Sequence, residues 1–129
     1  QIEARVLGDL SLNHIIPVAT HYQSMIAKDV QNLMVIYGAE KGKKLSERIM
    51  NIIEQISERT AVIEENVEAM VEARKVANKI QNEREKAIAY HDTVETFFQP
   101  IRYQIDKLEL VVADELWSLP KYRELLFVR

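Results

Sequence analysis

Apolar residues recur along the first third of the chain at 2, 6, 10, 15, 18, 22, 26, 30, 33 and 37. Steps of three to five follow one face of a helix, and this spacing predicts a helix over 2–37. Gly38 suits the position just past a helix end, with positive φ, and "GAEKGKK" is the clearest turn in the sequence. Pro17 lies inside the pattern. It cannot donate to the Asn13 carbonyl and its ring crowds that oxygen, so a kink is expected there. The apolar face continues on both sides, which argues for a kink over a break.

The second segment is a heptad ladder. Ile49, Ile56, Ile63, Met70 and Ala77 fall on one seam position; Leu45, Ile52, Arg59, Asn66, Ala73 and Ile80 fall on the other. Ile53, Thr60 and Val67 widen the stripe, as a helix with more than one neighbour requires, and a helix over 40–80 follows. Arg59 and Asn66 interrupt the seam; they either fix register or face a third helix or water. Asn82 followed by Glu85 resembles a capping box and opens a third helix over 83–116. Its ladder runs Ala87, His91, Val94, Phe98, Ile101, Ile105, Leu108, Val112, with Pro100 between rungs to bend it. Two ladders joined by a short polar link favour an antiparallel hairpin with arms of roughly 50 Å. Leu119 and Pro120 suit the entry to a short last helix over 120–126. The expected fold is all-α: a long antiparallel hairpin, a Pro-kinked first helix packed on it, and a short C-terminal helix, within one domain over 1–129.

Composition agrees with that architecture. The 129 residues are 47% apolar and 29% charged, with three Gly, three Pro and no Cys, so turn chemistry for an all-β fold is scarce. The missing cysteines exclude a disulfide framework and thiolate metal sites, and fit a reducing cytoplasm. A net charge of −3 with both signs interspersed gives no broad electrostatic footprint for nucleic acid. No apolar run approaches the ~20 residues a bilayer crossing needs. The chain opens at Gln1, directly in a helical pattern and without an initiator Met, and reads as a piece of something larger.

Candidate chemistry is sparse. His14 and His21 share a helix face but lie roughly 10 Å apart along it, too far to hold one metal. No histidine has a Glu three residues before it, so the Glu-x-x-His signature of di-iron bundles is missing. His91, on a seam position, reads as a hydrogen-bonded structural histidine. Glu54, Glu58, Glu64, Glu65, Glu68 and Glu72 read as a solvated helix face rather than a catalytic pair. Lys41, Lys43 and Lys44 around Gly42 lack phosphate-loop spacing and read as an inter-helix turn kept soluble. No residue is assigned a catalytic, cofactor-binding or metal role.

Three stretches carry a resemblance. "IEARVLGDLSLNHIIPVATHYQ" (Ile2–Gln23), "VEARKVANKI" (Val71–Ile80) and "IRYQIDKLELVVADELWSLPKYRELLF" (Ile101–Phe127) resemble the extreme C-terminal helical domain of type III glutamine synthetases. The elements Asp114-Glu115-Leu116-Trp117 and Leu119-Pro120-Lys121-Tyr122-Arg123 are its most specific part. The resemblance implies a parent enzyme that joins ammonia to glutamate with ATP and Mg or Mn, assembled as a ring-based homo-oligomer. It implies also that this chain ends where the parent ends, and that the family's catalytic residues lie upstream, in a region this sequence lacks. The expected partners are the upstream catalytic domain and neighbouring subunits. Two other readings stand beside it: a free-standing helical adaptor that binds a partner protein, and a metal-dependent four-helix enzyme. Trp117, Leu119, Tyr122, Leu125, Leu126 and Phe127 are too apolar for a solvated terminus, and are expected to dock inside this chain, mainly against the first helix.

Overall fold

The computed structural model describes residues 2–112. Helix α1 spans Ile2–Leu10, a π-helical turn follows over Ser11–Ile15, and α2 continues over Ile16–Tyr37. The chain reverses at Gly38, forms α3 over Ala39–Leu45, and after Ser46 enters α4, Glu47–Asn78. The return arm comprises α5 (Glu83–Ala89), a second π-turn (Tyr90–Val94), a 3-10 turn (Glu95–Phe97) and α6 (Phe98–Val111). No strand occurs among the described residues, and the all-α expectation holds.

Gly38 takes φ 84° and ψ 168°, a region open essentially to glycine, and its N–H donates to the Met34 carbonyl at 2.9 Å. The turn is shorter than "GAEKGKK" suggested. Only Gly38 breaks the helix, and the three lysines ride on α3, where Lys43 and Lys44 sit in the last turn and favour its negative end. Leu45, expected on the seam, is exposed, because Ser46 separates α3 from α4 and the heptads begin only beyond it.

Pro17 is absorbed by the π-turn before it. The wide turn places Pro17 in the first turn of α2, where a missing N–H is no loss, and the Ile16 N–H donates to the Ser11 carbonyl. The inward face of α1 differs from the apolar ladder. Ala4, Leu7, Gly8 and Ser11 are buried, while Ile2 and Val6 point outward. Small residues at 4, 8, 11 and 19 let the backbone approach α4 closely, and Ser11 Oγ satisfies itself on the Leu7 carbonyl at 2.8 Å.

Helix α4 is the central element, contacted by α2 on one side and α6 on the other. Ile56, Ile63, Val67, Met70 and Ala77 are buried, with Ile49 and Ile52 half-buried, so the leading seam holds. All but Ala77 join Ile15, Ala19, Ile26, Val94, Phe98, Ile101, Ile105 and Leu108 in one core. Gln23 Nε2 ties α2 to α4 by donating to the Ile53 carbonyl at 2.9 Å and to Ser57 Oγ at 2.7 Å. Of the two polar seam residues, Arg59 reaches across to α6, donating from Nη1 to Gln104 Oε1 at 3.0 Å. Asn66 turns back on its own helix and donates to the Val62 carbonyl at 2.9 Å.

The return arm begins as the cap predicts: Asn82 Oδ1 accepts from the Glu85 N–H at 3.0 Å. The second π-turn then overturns the seam placement of His91. A π-turn holds about one residue more than an α-turn, so the side chain one turn above Val94 is Tyr90, not His91. Tyr90 and Lys86 are half-buried, whereas Ala87 and His91 are exposed. His91 Nδ1 lies 3.4 Å from Glu95 Oε1 at the surface. Below the turn the ladder resumes, with Val94, Phe98, Ile101, Ile105, Leu108 and Val112 buried. Helix α6 ends at Val111 and Val112 is extended, so the helix expected to 116 stops earlier. The expected last helix and the docking of Trp117 lie outside the described residues.

Candidate functional site

Two concavities merit chemical scrutiny. The first runs along α3 and the start of α4, with an open volume near 860 Å³ lined by Glu40, Lys43, Lys44, Glu47, Arg48, Met50, Asn51 and Glu54. Its charges are mixed and exposed, so it presents no focused field. The second is a slot of about 230 Å³ between α1 and α4. Its floor is apolar, made by Ala4, Gly8, Val67 and Met70, and Arg5, Asp9 and Arg74 stand at its rim. The slot exists because α1 is built from small residues at this height. Asp9 Oδ1 accepts from Asn13 Nδ2 at 2.6 Å, whereas neither Arg5 nor Arg74 makes an ion pair among the described residues. Sequence reading missed this pair of guanidinium groups, since nothing in the spacing of residues 5 and 74 joins them. The run Ala4, Gly8, Ser11 was the available signal.

Among the described residues, Tyr90 is the one group with a clear shift in its titration. Burial pushes its phenol above the ordinary 10.0; the nearby Ala4 backbone opposes the rise, and Glu95 and Glu3 add to it. The hydroxyl rests against Ala4 without good hydrogen-bond geometry to it. The half-buried phenol places the second π-turn beside the start of α1.

The sequence candidates do not converge. His14 is half-buried, and His21 and His91 are exposed. Among the described residues no group of three or more His, Cys, Asp or Glu could hold a metal ion. All six glutamates of the α4 stretch are exposed, in line with a solvated face, and Glu72 pairs with Lys75 at 3.5 Å. No described helix is long and apolar enough to cross a membrane.

No family model matches the chain. Over all 129 residues it is 46% identical to a glutamine synthetase of Bacteroides fragilis, and 26% identical to a type-3 glutamine synthetase of Dictyostelium discoideum. The chain is similar to one part of a glutamine synthetase. It spans 18% of the length of each of these curated relatives. The whole chain thus matches only a small share of each relative. The buried seam of α4, the Asn82 cap and the core of α6 all fall within that match.

Proposed function

We propose that this chain is a non-catalytic accessory domain from the C-terminal part of a type III glutamine synthetase. The parent enzyme would carry out ATP-dependent ligation of ammonia to glutamate with Mg or Mn, in the cytoplasm, as a homo-oligomer. The helical domain would support its architecture through contacts with the upstream catalytic domain and neighbouring subunits. The observation that carries this reading is the 46% identity over the full 129 residues against 18% of the relative's length. A free-standing adaptor has no reason to match a synthetase from end to end.

Two measurements test it. Calorimetric titration of the chain with Mg-ATP and with glutamate should give no saturable heat, because no phosphate-cradling loop was found in its sequence; saturable micromolar binding refutes a non-catalytic role. Sequencing the gene should show synthetase coding sequence joined to this segment, and a reading frame of this segment alone refutes the parent assignment in favour of the adaptor.

A further inference from the structure

Helix α6 is buried further round its circumference than its packing on α4 explains. Ile101, Ile105, Leu108 and Val112 form the row that meets α4, and Arg59 of α4 bonds Gln104 on one flank of that row. Glu109 lies on the other flank, about 140° round the helix from Gln104, yet it is only 1% exposed. Arg102 and Asp106 continue the same stripe, both half-buried, with Asp106 Oδ1 shielded from water. Helices α2 and α6 both rest on α4 but hardly touch one another, so among the described residues no second helix lies along this face. A carboxylate taken out of water needs a positive or hydrogen-bonding partner, and Glu109 has an interaction of this kind.

We propose that residues 113–129 of the same chain dock on this Arg102–Asp106–Glu109 face of α6. The chain leaves α6 beside it: Val112 is extended, with φ −84° and ψ 136°, just past Glu109. The charges match. From Leu119 to Arg129 the sequence holds Lys121, Arg123 and Arg129 against Glu124 alone, and the face holds Asp106 and Glu109 against Arg102. Trp117, Tyr122 and Phe127 supply aromatic bulk for the aliphatic stems of the face and for Arg102, whose guanidinium already lies over the Phe98 ring at 5.7 Å. Sequence alone put this segment against the first helix, whose start, α1, leaves Ile2 and Val6 uncovered. That face is the poorer match. With Arg59 level with Gln104, and Gly8 level with Val67 and Met70, α1 lies about 25 Å along α4 from Val112. The slot beside α1 carries Arg5 and Arg74 against Asp9, so the cations of the segment would meet an excess of their own sign there.

Trp117 is the only tryptophan and the chain has no cysteine, so a nitroxide on one introduced thiol reports its nearness to a single indole. Leu110→Cys and Gln99→Cys, at exposed positions bordering the face, and Val6→Cys on α1 are each labelled in the full 129-residue chain. Trp117 emission is then compared with that of the same variant carrying the reduced, spin-silent label. The nitroxide at 110 or 99 should remove at least half of the emission, and the nitroxide at 6 less than a tenth. Stronger quenching from position 6 overturns the proposal in favour of α1, and quenching from none of the three overturns it as well. So does quenching from 110 or 99 that weakens on tenfold dilution, since the segment would then dock on a second chain. Glu109→Gln removes the buried charge and should at least double the acrylamide quenching constant of Trp117; an unchanged constant overturns the pairing that seats the segment.

Discussion

Two glycines in helix interiors should respond to alanine with opposite signs. Gly8 and Gly42 both occupy helical backbone, where intrinsic propensity favours alanine by about 1 kcal/mol. What differs is the space each one faces. A Cβ on Gly8 would lie 3.7 Å from Val67 Cγ1 and 3.8 Å from Met70 Cε, ordinary contact with two side chains. It would also fill part of the slot, so Gly8→Ala should stabilise by about 0.5–1 kcal/mol. A Cβ on Gly42 would lie 2.7 Å from Met34 Cα and 2.9 Å from the Leu33 carbonyl oxygen. Those are backbone atoms of α2, so no rotamer change relieves the clash and α3 must lift away. Overpacking of this kind costs ~1–3 kcal/mol, and a rigid obstacle belongs at the upper end. After the propensity gain, Gly42→Ala should lose about 2 kcal/mol. Lifting α3 also strains the Gly42–Gly38 hydrogen bond at 2.8 Å and the contact of Ser46 Oγ with the Gly42 carbonyl. Urea denaturation followed by far-UV circular dichroism measures both variants against the parent chain. For a chain of this size the two should differ in thermal midpoint by roughly 10 °C. Shifts of the same sign would refute the reasoning, because propensity alone would then govern both sites.

Further outcomes follow from burial. Ile56→Ala should cost ~2–5 kcal/mol in urea denaturation, since Ile56 is fully buried in the α4 seam, while Val76→Ala, on the exposed side, should stay within about 0.5 kcal/mol. His91→Ala should also change stability by no more than ~0.5 kcal/mol, whereas Tyr90→Ala should cost at least ~1 kcal/mol; the reverse order would return His91 to the seam. The raised phenol of Tyr90 makes stability fall at high pH. Its contribution is whole below the unfolded value of 10.0 and is lost as pH rises from there through the folded value, because the unfolded chain ionises first. Urea midpoints taken from pH 9 upward should therefore drop less steeply for Tyr90→Phe than for the parent chain, and equal slopes would contradict the burial of this hydroxyl.

Which features could be read from sequence depended on how much bulk marked them. Ile56 and Ile63, seven residues apart, announce a seam that any heptad count finds, and Asn82 with Glu85 announces a helix start through side-chain chemistry alone. The inward face of α1 carried no such mark. Ala4, Gly8 and Ser11 do their work by being small, and a count of apolar bulk picked Ile2 and Val6, the residues that face away. The two π-turns were hidden for a different reason. The first holds Asn13, whose carbonyl the Pro17 ring would crowd; the second ends at Val94, and the carbonyl four residues before Pro100 is that of Thr96 in the 3-10 turn that follows it. Sequence requires that the helix give way there, and cannot say whether it kinks, breaks or widens by one residue. Widening moves every residue on its N-terminal side to a new angular position, which is how His91 left the core and Tyr90 entered it. The same logic bears on α1. An apolar ladder that fails to find the core is more than a misreading, because Ile2 and Val6 remain apolar whichever way they face. Apolar surface of that kind carries a hydration cost that a polar residue at either position would avoid.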